Sequence, residues 1–332
     1  TQSSAMVSDI RIVIDGAGKI TSYQADHRGP PVQDDRLVGA LLAGKPVIES
    51  PGPQTSYGFQ QGQLSVNDSW VYGTVASVQE QGHGTFQLGE KQSPTAIGLR
   101  DHSMRTPIQF QQNCPREMAI SEAAALAGKD AIQFRIDHVD DERFKAILIR
   151  LRAESGWVTR PSPAPKASAK GKAPVRGQGV SIMLRDNGYW ACAAQIAVTP
   201  QTGVVRVERI TIVADPGIVV NPLQLKRQIQ AGCLMGVSQA LHEEVQFDES
   251  SVTSADWSSY PILTMAEMPE LKVVIAGNAD ANIYGQGSES ANALAAPAIA
   301  AAFFDATGKP ARRIPLRPDY VQAMLNPKLA KA

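Results

Sequence analysis

The sequence predicts an α+β fold in two units joined by a linker, and three observations carry that reading. β-Branched runs come in neighbouring pairs separated by tight-turn signals. Helix-like runs stand apart from them, and the segment PSPAPKASAKGKAP interrupts both patterns. Strands in meanders followed by separate helices indicate α+β architecture rather than an alternating βαβ sheet.

In chain order, residues 9–14 (DIRIVI) and 19–24 (KITSYQ) flank the turn-rich joint Asp15-Gly16-Ala17-Gly18 and read as a β-hairpin. Residues 50–100 are rich in Gly, Gln, Ser and Thr with weak periodicity and read as short strands and loops. Residues 117–127 hold good helix formers and stop at Gly128. Residues 140–154 read as a second helix, with acids in the first turn and Gly156 after the last. Residues 159–178 alternate Pro, Ala, Ser and Lys and cannot bury enough apolar area to pack, so they form the linker between units 1–158 and 179–332. Beyond it, residues 180–185 and 189–198 surround Asp186-Asn187-Gly188, a hairpin signal because Asn-Gly tolerates positive φ. Residues 199–203 turn the chain into a β-branched strand over 204–214. Asn221-Pro222 starts a helix reaching about residue 244, residues 270–276 form another strand, and residues 293–306 form a small-residue helix.

A chain of 332 residues with 43% hydrophobic content supports a real core. Thirty-two basic residues balance thirty-two acidic ones, which argues against nucleic acid or an anionic membrane surface as the main partner. Cys114, Cys192 and Cys233 lie far apart without CxxC spacing, excluding a disulfide framework, an iron–sulfur cluster and a structural zinc site within the chain. The five histidines are scattered, and His242-Glu243-Glu244 lacks the second histidine of a zinc protease. No apolar run reaches transmembrane length and no signal peptide is visible. Scarce cysteines suit the cytoplasm, and export beside a signal-bearing partner gives the same sequence. The chain opens at Thr1 and enters strand-like sequence within about ten residues. That leaves a processed product, a fragment and a subunit split from its other half all open.

The segment Tyr284-Gly285-Gln286-Gly287-Ser288-Glu289-Ser290-Ala291-Asn292 concentrates the candidate chemistry. Gly, Ser and Ala let a backbone approach a ligand, and a helix N-terminus offers free N–H donors. Glu289 there is either a helix cap or a catalytic base, and local sequence favours the cap. Gly285-x-Gly287 lacks the third glycine of a dinucleotide fingerprint. Gln228 is either a cofactor contact or an exposed helix residue. Asp215-Pro216-Gly217 ends a strand where ligands often approach, and Arg105 ahead of a helix suits an anion.

Taken in order, these segments resemble the molybdenum-binding large subunit of the xanthine dehydrogenase/aldehyde oxidase family, in its isoquinoline 1-oxidoreductase and aldehyde dehydrogenase flavour. The motifs begin with Met104-Arg105-Thr106-Pro107, Glu117 and the run from Ser121 to Asp130, followed by Phe134-Arg135 and residues 140–143. They continue through residues 203–207, Asp215-Pro216-Gly217, Asn221-Pro222, residues 228–232 and Gly236, and finish at Pro297-Ala298-Ile299-Ala300 and residues 304–308. The resemblance implies two molybdopterin-binding α+β units, the latter part of the first over 1–158 and the second over 179–332. It implies a molybdenum–molybdopterin cofactor, the cytosine dinucleotide form included, held by its dithiolene with no metal ligand from side chains. It further implies oxidation of an aldehyde, or hydroxylation of an N-heteroaromatic ring with water-derived oxygen, with Glu289 as general base. The cofactor contacts would be Gln228, Arg105, Gly217, Gly287, Ser288, Ser290, Ala291 and Asn292. A chain carrying the N-terminal half of the molybdopterin subunit, an iron–sulfur (2Fe–2S) subunit and a flavin (FAD) or haem-bearing cytochrome subunit would be partners. Ser288 and Ser290-Ala291 stand where the family commonly has Gly and Pro-Gly. That departure keeps a non-catalytic structural or assembly subunit as the alternative.

Overall fold

A computed structural model describes residues 6–28, 44, 71–73, 75, 77–83, 105–106, 109–164, 173–248, 251–277 and 283–327. The first sheet starts with the expected hairpin, β1 (Val7–Ile14) antiparallel to β2 (Ile20–Arg28). Asp15 closes its turn by accepting from the N–H groups of Ala17 (2.9 Å) and Lys19 (2.8 Å). β3 (Ser77–His83) then pairs in parallel with β2. Most of the remaining 50–100 stretch lies outside the described residues.

Three helices follow: α1 (Gln109–Leu126), α2 (Ala131–His138) and α3 (Glu142–Glu154). α1 starts eight residues ahead of the expected Glu117. Its first half is polar, yet Gln112, Asn113, Arg116 and Glu117 are all buried there, so hydrophobic periodicity carried no signal. Asp130 caps α2 by accepting from the N–H groups of Ile132 and Gln133, both at 3.0 Å. Asp141 caps α3, taking the N–H of Arg143 at 2.7 Å.

The second sheet has the order β4 (Val175–Arg185), β5 (Gly188–Thr199), β6 (Val204–Asp215), β7 (Glu270–Ile275). The first three strands form the expected antiparallel meander, but β7 is parallel to β6. A parallel neighbour needs a crossover, which α4 (Pro222–Leu241) and the chain after it supply. One βαβ-like joint therefore sits inside a fold whose sequence predicts none. α4 opens at Asn221, whose side chain accepts from the N–H of Gln224 at 3.0 Å.

Both faces of this sheet are covered. Along β5, Trp190, Cys192, Ala194 and Ile196 face α4, α5 (Ser290–Thr307) and α6 (Pro318–Leu325), while Ala191 and Ala193 join the core shared with α1–α3. α5 is buried all round except at Phe304, as a helix without a polar face must be. It lies directly on β4. A Cβ built on Gly179 would stand 2.2 Å from the carbonyl oxygen of Ala298, and one on Gly177 2.2 Å from that of Ala302. Two glycines on one strand face thus let the helix backbone rest against the strand backbone.

The ends of the expected linker 159–178 are held down. Arg160 bridges both carboxylate oxygens of buried Asp305 on α5 (2.7 and 2.6 Å), and Ser162 donates to the same carboxylate at 2.7 Å. Val175 already belongs to β4, five residues ahead of the strand start expected at 180, because Gly177 and Gly179 are needed under α5. Residues 165–172 lie outside the described residues.

A buried carboxylate ties the first three helices to the sheet. Glu117 accepts from Arg135 Nε (3.0 Å) and Nη2 (2.9 Å), Arg116 Nε (3.3 Å), the Tyr72 hydroxyl (2.5 Å) and the N–H of Ile182 (3.0 Å). Glu117 and Arg135 are fully buried, so the ion pair holds only because every lone pair finds a donor.

Candidate active site

The strip before α5 is held at the end of the second sheet by two turns. At the β4–β5 hairpin the left-handed residues are Asp186 (φ 45°) and Asn187 (φ 60°), one step earlier than the Asn-Gly pair suggests. Gly188 is the first residue of β5, and a Cβ there would meet the carbonyl oxygen of Gln286 at 2.7 Å. The N–H of Gln286 donates to the carbonyl of Asp186 (3.1 Å), that of Gly285 to Pro216 (2.8 Å), and that of Ile218 to Ile283 (2.8 Å). Gly217 has φ 75°, and a side chain there would stand 2.2 Å from the carbonyl of Ile283. The Asp215-Pro216-Gly217 turn is itself clamped. Asp215 takes Arg143 Nε at 2.8 Å and the N–H of Gly217 at 3.0 Å, and Arg143 lies 4.1 Å over the Tyr189 ring.

Within this frame Arg105, Gln228, Gly287, Ser288 and Glu289 come together. The carbonyl of Ser288 accepts from Arg105 Nε (3.1 Å), Arg105 Nη2 and Gln228 Nε2 (2.6 Å). Arg105 Nη1 also touches Met235 Sδ at 3.1 Å. Burial pulls the Arg105 guanidinium below its ordinary pKa, and the charge of Glu289 opposes that shift. Thr106 donates to the carbonyl of Glu289 (2.8 Å) and to Asn292 Oδ1, fixing the start of α5 from below. Ser288 and Gln228 are exposed. Gly217, Ser290, Ala291 and Asn292 are buried and serve as scaffold within this chain: Gly217 under the strip, the other three in the first turn of α5.

Glu289 occupies the N-cap position of α5 (φ −122°, ψ −35°), yet its side chain makes no capping hydrogen bond. Gln286 organises the loop instead. Its Oε1 accepts from the N–H of Glu289 (3.3 Å) and from the Ser290 hydroxyl (3.0 Å), and its Nε2 donates to Ser288 Oγ at 3.0 Å. The Glu289 carboxylate, 29% exposed, meets Arg185 Nη2 at 2.9 Å and Gln286 Nε2 at 3.3 Å, both through Oε2. Three organisers of this site carry no clear signal in the sequence: Arg185, Gln286 and Thr106. Gln286 and Thr106 adjoin named candidates. Arg185 has no local mark beyond preceding a tight turn.

The donor set suits an acceptor-rich organic ligand. Among the described residues the N–H groups of Gly287 and Ser288 find no acceptor, and the Arg105 and Gln228 donors converge on one carbonyl beside them. Neutral amide and guanidinium donors match ring carbonyls, ring nitrogens and phosphate oxygens. No cluster of three or more His, Cys, Asp or Glu among the described residues is arranged to hold a metal ion by itself.

Residues 184–269 match the family model described as a molybdopterin cofactor-binding domain. Over 235 residues the chain is 35% identical to one of the subunits of nicotinate dehydrogenase from Pseudomonas putida, covering 68% of this chain and 20% of that protein. It is 27% identical to the beta chain of isoquinoline 1-oxidoreductase from Brevundimonas diminuta, over 65% of this chain and 26% of the relative. The chain thus spans between a fifth and about a quarter of these relatives' length. Quinoline 2-oxidoreductase from Pseudomonas putida 86 superposes with a TM-score of 0.70 at 12% identity, covering 96% of this chain and 62% of that one, a likeness of fold. With the α+β architecture and the ordered motifs from Arg105 to Glu289, these likenesses place the chain in the xanthine dehydrogenase/aldehyde oxidase family of molybdenum hydroxylases, within its molybdopterin-binding subunit.

Proposed function

We propose that this chain contributes the proton-accepting side of a molybdenum hydroxylase, with Glu289 as the general base. The observation that carries the reading is that Glu289 stands at a helix N-cap without capping it. Its carboxylate is held by Arg185, one residue beyond the Ser288 carbonyl on which Arg105 and Gln228 converge. A cap would be spent on the helix; this carboxylate retains an oxygen for chemistry. Bound molybdopterin would supply the redox centre that takes up the substrate's electrons. Gln228, Arg105 and the N–H groups of Gly287 and Ser288 would hold its pterin and pyrophosphate acceptors, in the cytosine dinucleotide form where one is present. A general base needs a fixed aim, which the loop hydrogen bonds would provide.

The substrate class is an aldehyde or an N-heteroaromatic ring, oxygenated with oxygen from water. The names of the relatives, a nicotinate dehydrogenase and an isoquinoline oxidoreductase, support the heteroaromatic branch. On this reading residues 1–158 are the latter part of the first molybdopterin-binding domain and residues 179–332 the second. The N-terminal half of the subunit, a 2Fe–2S subunit and an FAD or haem subunit complete the enzyme. The test is to isolate the chain with its natural partners, measure molybdenum and pterin, and compare wild type with Glu289→Gln. The variant is expected to keep its cofactor content and lose on the order of 10²–10⁴-fold in turnover. An active complex without molybdenum, or an E289Q enzyme within a factor of ten of wild type, would overturn the proposal in favour of a structural subunit.

A further inference from the structure

We infer that Arg185 is the positioning residue for Glu289: with Gln286 it holds the carboxylate by Oε2 and so presents Oε1 as the oxygen that takes up the proton. The inference rests on the reading of Glu289 as base. Two donors converge on Oε2, Arg185 Nη2 at 2.9 Å and Gln286 Nε2 at 3.3 Å, and among the described residues Oε1 has none. A carboxylate bound through one oxygen keeps the lone pairs of the other, and two donors on Oε2 restrict how the group can turn.

Arg185 is built to hold still. It ends β4, with only 18% of its side chain exposed. Its Nη1 donates to Gln109 Oε1 on the first residue of α1 (2.9 Å), and its Nε faces Asp186 Oδ2 at 3.7 Å. Helix α1 thus holds Nη1 and Glu289 takes Nη2, while Nε makes no hydrogen bond among the described residues. The strip is brought to it by the bond from the Gln286 N–H to the Asp186 carbonyl, on the residue next to Arg185. In the general-base step one proton moves from the reacting group to Oε1. The carboxylate becomes a neutral carboxyl, and Oε2 stays bound to Arg185 throughout.

The test uses the assembled, cofactor-loaded enzyme and the variants Arg185→Ala, Arg185→Lys, E289Q and the double variant R185A/E289Q. R185A should lower kcat on the order of 10²-fold, the scale expected for a misplaced catalytic group, with KM within about threefold and molybdenum content unchanged. R185K should recover most of the loss, and guanidinium at non-denaturing concentration should restore part of the R185A turnover. In the E289Q background R185A should cost almost nothing more, since both changes remove one function. A readout independent of turnover is the crystal structure of the R185A complex, in which the Glu289 carboxylate should leave its present orientation. Wild-type kcat in R185A, a carboxylate that stays in place, or additive losses in the double variant would each overturn the inference. If E289Q itself retains turnover, the base reading fails; if E289Q is dead while R185A is unimpaired, only the positioning role fails.

Discussion

Glu117 and Glu289 are both carboxylates paired with arginine at about the same distance, 2.9 Å; Glu117 lies on α1 and Glu289 just before α5, and both helices pack against β4. Their surroundings differ in two respects. Glu117 is fully buried, and both of its oxygens are filled: Oε1 by Tyr72 and Arg116, Oε2 by Arg135 and Ile182. Glu289 is 29% exposed, and its donors occupy a single oxygen. A saturated carboxylate can only hold elements together, whereas a half-saturated one is held and still able to accept. An arginine partner therefore says little about role; the distribution of donors over the two oxygens says more.

The largest effect expected of a single change tests the saturated member. Glu117→Ala leaves Arg135 buried without its counter-charge and should destabilise the fold by about 3–5 kcal/mol, read as a shifted urea midpoint. Glu289→Ala breaks a partly exposed pair and should cost no more than about 1 kcal/mol. Equal costs would collapse the distinction between scaffold and site. Next comes Gly179→Ala, which drives a Cβ into the Ala298 carbonyl. It should cost about 1–3 kcal/mol and displace α5, so turnover should fall together with stability. Unchanged turnover would mean that the aim of Glu289 does not depend on how α5 is seated.

The smallest effect separates the Glu117 side by pH. His138 is buried, donates from Nδ1 to the carbonyl of Phe134 (2.7 Å), and accepts the N–H of Ile20 on Nε2 (3.1 Å). Burial pulls its pKa below the ordinary 6.5. The unfolded chain then binds the proton more readily than the folded one. The stabilising contribution is present above about pH 6.5 and is lost as pH falls from there towards the lowered folded value. Between pH 7.5 and 5.5 the melting temperature of wild type should drop further than that of His138→Gln; parallel curves would remove His138 from the account.

Much of this architecture was legible locally. The hairpin at Asp186-Asn187, the stop at Gly128, the helix start at Asn221-Pro222 and the small-residue helix all rest on turn chemistry or composition within a few residues. The site was legible as a loop with three outlying candidates, and Arg105 and Gln228 do meet at Ser288. The parallel placement of β7, the buried polar face of α1 and the approach of Arg185 to Glu289 were not. Each depends on which distant segments share an edge or a face, and no period within a strand or helix records that. Arg185 in particular ends an ordinary strand, and it gains a role only when the strip before α5 docks on the adjoining turn.

The seating of α5 on Gly177 and Gly179 has one more effect. Where main chain lies on main chain, no side-chain torsion stands between the two to absorb a small shift. A side chain added at either glycine would push the helix off the strand, and Glu289 at its N-terminus would move with it.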